Sequence, residues 1–220
     1  MKDVKGLLLM DVDSTLIKEE VIDLLGQEAG LGLEIAEITD SAMNGLLDFQ
    51  EALTERVNLL KGLPTSVFKQ VYQQIHLQKG AKELVDLMHA KGFKVGVVSG
   101  GFHEIIDPLA QELKLDYVKA NKLEVRGGYL TGLVAGQVVD KEVKYQCLLE
   151  WAKENDLELV DTIAVGDGAN DLPMIQAAGI GVAFCAKSVV KAQAPYQINK
   201  ADLMELIPLI EQRGLPKEEN

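Results

Sequence analysis

The stretch LLLMDVDSTLI, residues 7–17, runs from four consecutive apolar residues straight into two carboxylates set two positions apart, Asp11 and Asp13. A short apolar run bounded by polar residues reads as a buried strand of a parallel sheet, and the acids then stand where that strand ends. A strand has no need of paired acids at its tip, so the pair points to chemistry. Alternate residues of an extended segment face the same way, so Asp11 and Asp13 can address one atom, one as nucleophile and the other moving protons.

Outward from this strand, short apolar strands alternate with helical segments. Residues 81–92 predict a helix closed by Gly92, 94–100 a strand, 104–113 a helix and 116–120 another strand. Residues 122–140 read as a β-hairpin turning at Gly127-Gly128, and 141–155 as a helix with Asp140 as its N-cap. A strand over 161–168, a helix from 172, a strand over 180–184 and a helix near 202–210 complete the series. The alternation predicts an α/β fold: a Rossmann-like, doubly wound parallel sheet whose ligands bind beyond the carboxyl ends of the strands. Residues 18–74 interrupt it with several amphipathic helices and no convincing strand. We therefore expect an α/β core over 1–17 and 75–220 and an inserted helical cap over 18–74. Within the insert Asp48 and Glu51 resemble a capping box, and Phe49, Ala52, Leu53 and Arg56 share one helix face. The tail 216–220 is expected to fray.

The 220 residues, 47% hydrophobic and 25% charged, suffice for one medium-sized domain carrying such an insert. A formal net charge of -12 argues against a nucleic-acid binder, so any phosphate must be held by local groups against the global field. Cys147 and Cys185 sit in no metal or redox spacing and read as packing residues of a reduced compartment. His76, His89 and His103 share no metal spacing either. The N-terminal apolar run is too short for a signal peptide or a membrane span, and no later stretch is long enough, so a soluble, cytoplasmic protein is expected.

Each predicted strand end carries polar groups: Asp11 and Asp13, then Ser99-Gly100-Gly101, then GDGAND over 166–171, while Lys144 adds a cation at a helix start. In a doubly wound sheet these ends converge on one rim. Asp11, Asp13, Asp167 and Asp171 gathered there would repel, and a hard divalent cation bound through oxygen relieves the repulsion. Mg²⁺ fits best, because it uses one or two carboxylates, keeps waters and shares its shell with a substrate phosphate. A serine hydroxyl, a lysine and the N–H groups of Gly-rich turns suit that phosphate, and a bound anion would offset the unfavourable place of Lys144 in the first turn of its helix. An EF-hand is excluded because Leu16 and Ile22 fill the positions that need Gly and Glu. GDGAND is not G-x-G-x-x-G, and no P-loop pattern occurs.

D-x-D-x-T-L at 11–16, a strand ending in Ser99-Gly100, Lys144 and G-D-G-x-N-D at 166–171 resemble, in order, the four motifs of the haloacid dehalogenase superfamily, across essentially the whole chain. Within it Glu20, Met43, Phe49, Arg56 and VSGGF at 98–102 are similar to the phosphoserine phosphatases. The resemblance implies a Mg²⁺-dependent hydrolase of O-phospho-L-serine in serine biosynthesis, a monomer or homodimer. Asp11 would form an aspartyl phosphate and Asp13 would be the general acid and base. Ser99, Gly100, Lys144 and Asn170 would hold the phosphoryl group. Asp167 would bind Mg²⁺ with Asp11 and the backbone of Asp13, supported by Asp171. Glu20 would meet the substrate ammonium and Arg56, a planar fork, its carboxylate, between the walls Met43 and Phe49. Val12 stands where many relatives carry an aromatic residue or Met. Two alternatives keep the chemistry, a phosphotransferase to a second alcohol such as homoserine and a phosphatase of another small ester. A non-catalytic phosphoamino-acid-binding module is disfavoured, since every catalytic position of the pattern is filled.

Overall fold

The structure, a computed structural model, describes residues 4–44 and 46–212; the side chain of Met43 and the tail 216–220 lie outside the described residues. In chain order the elements are β1 (Gly6–Met10), α1 (Val21–Glu28), α2 (Gly32–Met43), α3 (Phe49–Leu59), α4 (Val67–Tyr72), α5 (Ala81–Ala90), β2 (Phe93–Phe102), α6 (His103–Leu113) and β3 (Tyr117–Asn121). Then follow β4 (Leu123–Arg126), β5 (Tyr129–Val134), α7 (Lys141–Glu154), β6 (Thr162–Gly166), α8 (Leu172–Ala177), β7 (Ile180–Phe184), α9 (Ser188–Lys191), β8 (Tyr196–Ile198) and α10 (Leu206–Gln212).

Six strands form one sheet in the order β3-β2-β1-β6-β7-β8, every neighbouring pair parallel. Alternate residues of β1 serve opposite faces: Leu8 and Met10 pack with Val95, Val97, Ile163 and Val165, and Leu7 and Leu9 with Val98, Ala164, Leu148 and Met174. A strand buried on both faces has no polar side, which is why β1 reads as an unbroken apolar run. The chain leaves β1 towards β2 on one side and returns as β6 on the other. The crevice between β1 and β6 is therefore the topological switch point, where such sheets bind ligands beyond their carboxyl ends.

The hairpin β4–β5 turns at Gly127 and Gly128, with φ of +59° and +83°, the two positive values that a tight two-residue turn requires. It does not stand alone. Gly62 N–H donates to the Leu130 carbonyl and Leu130 N–H to the Leu63 carbonyl, each at 2.9 Å, so the hairpin docks on the chain after α3. Four helices, α1 to α4, occupy the stretch between β1 and α5, and their apolar residues join one sheet face in a continuous core. The segments leading into and out of them pair as an antiparallel Ile17–Leu77 bridge, flanked by Lys18 N–H to the His76 carbonyl at 3.0 Å and Gln78 N–H to the Leu16 carbonyl at 2.9 Å.

The structure departs locally from the expectations. Asp48 caps α3 through Gln50 N–H and Glu51 N–H, but among the described residues Glu51 does not return the bond, so only half of the capping box forms. The C-terminal helix begins as a tighter turn over Leu203–Glu205, with Asp202 as its N-cap. Edge strand β8 and the one-turn α9 had no counterpart in the sequence reading. No helix among the described residues is long and apolar enough to cross a membrane.

Candidate active site

The backbone of β1 hands Asp11 to the switch point: Met10 pairs with Val165, and Asp11 N–H donates to the Val165 carbonyl at 2.9 Å. The chain then curls so that Ile17 N–H reaches the Val12 carbonyl at 3.0 Å, and Ser14 adopts φ 55°, a left-handed conformation costing of order 1–3 kcal/mol for a residue with a Cβ. Two contacts hold Ser14 there: its N–H donates to the Glu19 carbonyl at 3.2 Å and its hydroxyl to Glu20 Oε1 at 2.5 Å. The curl turns Asp13 so that its Oδ1 accepts from Val21 N–H at 3.1 Å, at the positive end of α1.

At the tip of β6 the chain folds Asp171 back beneath it. Its Oδ2 accepts from Asp167 N–H at 3.1 Å and Gly168 N–H at 3.0 Å. Gly166 permits this approach, since a Cβ there would lie 2.4 Å from the Asp171 carboxyl carbon. From the other side comes Lys144 on α7, whose N-cap Asp140 accepts from Glu142 and Val143 N–H groups at 3.0 Å. The Lys144 ammonium is fully buried and donates to Asp171 Oδ1 at 2.6 Å and Asp11 Oδ1 at 2.9 Å. Burial opposes its charge, but the two carboxylates outweigh that and hold its pKa above the usual lysine range.

The carboxylates feel the opposite balance. Burial, opposed by Lys144 and reinforced by Asp171 and Asp13, pushes Asp11 up to about 7, and burial lifts Asp13 to about 6 against the Val21 N–H bond and the charges of Lys144 and Arg56. Asp167 and Glu20 are pushed well above their ordinary values, first by burial and then by neighbouring acids. Donor oxygens of Asp11, Asp167 and Asp171 lie within 4.8 Å of one another. Asp171 already spends both oxygens on Lys144 and the two N–H groups. Asp11 Oδ2 and Asp167 Oδ2 accept no hydrogen bond among the described residues, while Asp167 Oδ1 receives Thr15 Oγ1 at 3.4 Å. An all-oxygen, charge-rich, under-compensated set of this kind suits a hard divalent cation.

Above these groups opens a pocket lined by Asp11, Asp13, Glu20, Phe49, Arg56, Gly100 and Asn170, with Ile22, Ala42, Leu53 and Gly101 completing the wall. Phe49 lies so close over Gly100 that a Cβ there would come within 2.7 Å of its ring. Ser99 is buried and its Oγ accepts from Gly101 N–H at 2.8 Å, within the irregularity where β2 shifts register against β3 between Val98 and Phe102. Arg56 is also buried, donating through Nε to the Ala52 carbonyl at 3.1 Å and through Nη1 to Thr39 Oγ1 at 3.0 Å, and it makes no ion pair among the described residues. Of the residues singled out from the sequence, the pocket thus gathers seven, and Ser99, Lys144, Asp167 and Asp171 stand behind its floor. Sequence reasoning passed over Ser14, Asp23 and Thr39. Ser14 lies inside the D-x-D-x-T-L run and was within reach, whereas Asp23 and Thr39 carry no spacing signal.

A family model described as haloacid dehalogenase-like hydrolase matches residues 8–176. A phosphoserine phosphatase of Streptococcus thermophilus is 64% identical over 214 residues, 97% of this chain and 100% of that protein. Another, of Lactococcus lactis, is 59% identical over 207 residues, covering 94% of this chain and 96% of the relative. Two solved structures, a phospho-aspartyl intermediate analogue of phosphoserine phosphatase and a substrate-bound phosphoserine phosphatase complex, each superpose with a TM-score of 0.91 at 42% identity, over 93% of this chain and 98% of theirs.

Proposed function

The chain belongs to the haloacid dehalogenase-like hydrolase family, and we propose that it hydrolyses O-phospho-L-serine to L-serine and inorganic phosphate, the closing step of a serine-forming route in the cytoplasm. The observation that carries this reading is the charge layout of the pocket. A pair of acids at the tip of β1 forms its floor, and a carboxylate, Glu20, and a guanidinium, Arg56, that has no ion pair among the described residues face the space above. An amino acid esterified with phosphate presents the complementary groups: a phosphoryl, an ammonium and a carboxylate.

Asp11 attacks phosphorus, the bond from phosphorus to the serine oxygen breaks, and Asp13 protonates the departing alkoxide. Asp13 then takes a proton from water as that water attacks the aspartyl phosphate, which releases phosphate and restores Asp11. A carboxyl raised to about 6 by burial is suited to both proton transfers near neutrality. Lys144 holds Asp11 through its buried ammonium and, with Ser99, Gly100 and Asn170, receives the phosphoryl oxygens. Asp11, Asp167 and the backbone of Asp13, with Asp171 in support, would hold Mg²⁺, whose charge would let an anionic ester approach an anionic nucleophile.

Residues 18–74 act as a cap over the core formed by 1–17 and 75–220, with Phe49 as a wall that excludes water. Two polar contacts across the cleft support a closed arrangement: Gln50 Nε2 donates to Asp140 Oδ2 at 2.8 Å, and Lys187 Nζ pairs with Asp40 at 2.7 Å. The test is phosphate release from O-phospho-L-serine with Mg²⁺ and with excess chelator, beside p-nitrophenyl phosphate and O-phosphothreonine. A Mg²⁺-dependent preference for phosphoserine is expected. Activity on p-nitrophenyl phosphate alone would overturn the substrate assignment.

A further inference from the structure

Arg56 reaches the pocket from α3, which holds its Nε through the Ala52 carbonyl, while what holds the Nη end of its guanidinium comes from two other helices. Thr39 on α2 is buried, and its Oγ1 accepts from Arg56 Nη1 at 3.0 Å. The same hydroxyl lies 2.7 Å from Asp23 Oδ1 on α1 and 2.9 Å from the Ile35 carbonyl. A hydroxyl has a single proton. The shorter, charge-assisted contact to Asp23 claims it, which leaves the oxygen lone pairs to receive the guanidinium. Arg56 Nε is meanwhile tied to the Ala52 carbonyl at 3.1 Å. Two of the five N–H donors of the fork are thereby committed to the protein, and the other three remain for whatever enters the pocket.

No carboxylate pairs with Arg56 among the described residues, and its Nε bond to Ala52 anchors only the inner edge of the planar group, so the Thr39 contact is what holds the Nη end from turning towards Glu20 or Asp13, whose charges it feels. We propose that Thr39 and Asp23 are positioning residues, a hydroxyl relay that aims the free edge of the Arg56 guanidinium at the substrate carboxylate. This rests on the phosphoserine reading. The arrangement would make recognition of the carboxylate depend on a hydroxyl that never touches substrate, with a carboxylate behind it setting the direction of its proton.

The experiment compares O-phosphoserine with O-phosphoethanolamine, which keeps the phosphoryl and ammonium groups but lacks the carboxylate, in the wild type, Thr39→Val, Thr39→Ser and Asp23→Asn. Thr39→Val is expected to raise KM for phosphoserine roughly tenfold with kcat largely retained, and to leave KM for phosphoethanolamine within about twofold. Thr39→Ser restores the phosphoserine KM. Asp23→Asn shifts it in the same direction by less, because an amide oxygen still accepts the hydroxyl proton but without a charge. If Thr39→Val is too unstable to assay, the Asp23→Asn split decides. A phosphoserine KM unchanged in the assayable variants, or one that rises equally for both esters, overturns the relay and leaves a purely structural contact. A wild type that does not favour phosphoserine over phosphoethanolamine overturns the substrate reading itself, and the relay with it.

Discussion

Replacing Lys144 by Met keeps side-chain volume and helix propensity while deleting the ammonium inserted among the site carboxylates. In the native structure that ammonium has no exposed surface and donates to Asp171 and Asp11 at 2.6 and 2.9 Å. Removing one partner of a buried ionic cluster strands the others, at a cost of about 3–5 kcal/mol. For a chain of this size each kcal/mol lowers Tm by roughly 2–4 °C, so the loss should be on the order of 6–20 °C. Thermal and urea unfolding in excess chelator measure it, since a divalent cation would otherwise take over part of the compensation. Adding Asp171→Asn to Lys144→Met should recover a large part of the loss. The amide oxygen can still accept from the Asp167 and Gly168 N–H groups, and of the two stranded charges that of Asp171 is gone, leaving only Asp11. A loss below about 1 kcal/mol for Lys144→Met would refute this electrostatic account. So would a double variant in which the two losses simply add.

Gly166→Ala should destabilise by about 1–3 kcal/mol in urea unfolding, because its Cβ would lie 2.4 Å from the Asp171 carboxyl carbon and push that side chain off Lys144. Mg²⁺ should raise Tm by mass action, and by more at about pH 8 than at about pH 5.5, because protons compete for an Asp11 whose pKa stands near 7; an increment independent of pH would count against these carboxylates as ligands. Asp116 supplies a structural pH effect. Burial alone would raise its pKa, but Lys94 at 2.6 Å, Val95 N–H at 2.9 Å and His89 at 3.0 Å outweigh it and hold the pKa below its ordinary 3.8. A depressed carboxyl contributes stability that is present above its unfolded pKa and lost as pH falls through the folded one. Asp116→Asn should therefore be less stable at neutral pH and lose less on acidification below about pH 4 than the wild type.

The sheet was legible where burial on both faces leaves no polar residue. Leu7–Met10, Val95–Val98 and Ile163–Val165 announce β1, β2 and β6, and the polar residues at their ends announce the rim. β8 was not legible: three residues at a sheet edge, with exposed Gln197 in the middle, carry too little pattern. Gly127-Gly128 marked the hairpin turn, yet its docking on residues 62–65 depends on pairing with a distant segment that no local signal encodes. The Ser14 turn was hidden because serine does not advertise a positive φ, which here is imposed by Glu19 and Glu20. Asp140 marked the start of α7, but that Lys144 would be wholly buried between two acids follows only from how α7 packs on β1 and the loop after β6. Thr39 and Asp23 stayed invisible for a similar reason, since Thr39 meets Asp23 and Arg56 only across three different helices.

The most direct test of the account is to quench the enzyme with acid during turnover of O-phospho-L-serine, digest it and read the peptide carrying Asp11 by mass spectrometry. One phosphoryl group is expected on Asp11, labile to hydroxylamine and absent from folded Asp11→Asn, which should not turn over. A phosphoryl group on another side chain, or steady hydrolysis by Asp11→Asn, would contradict it.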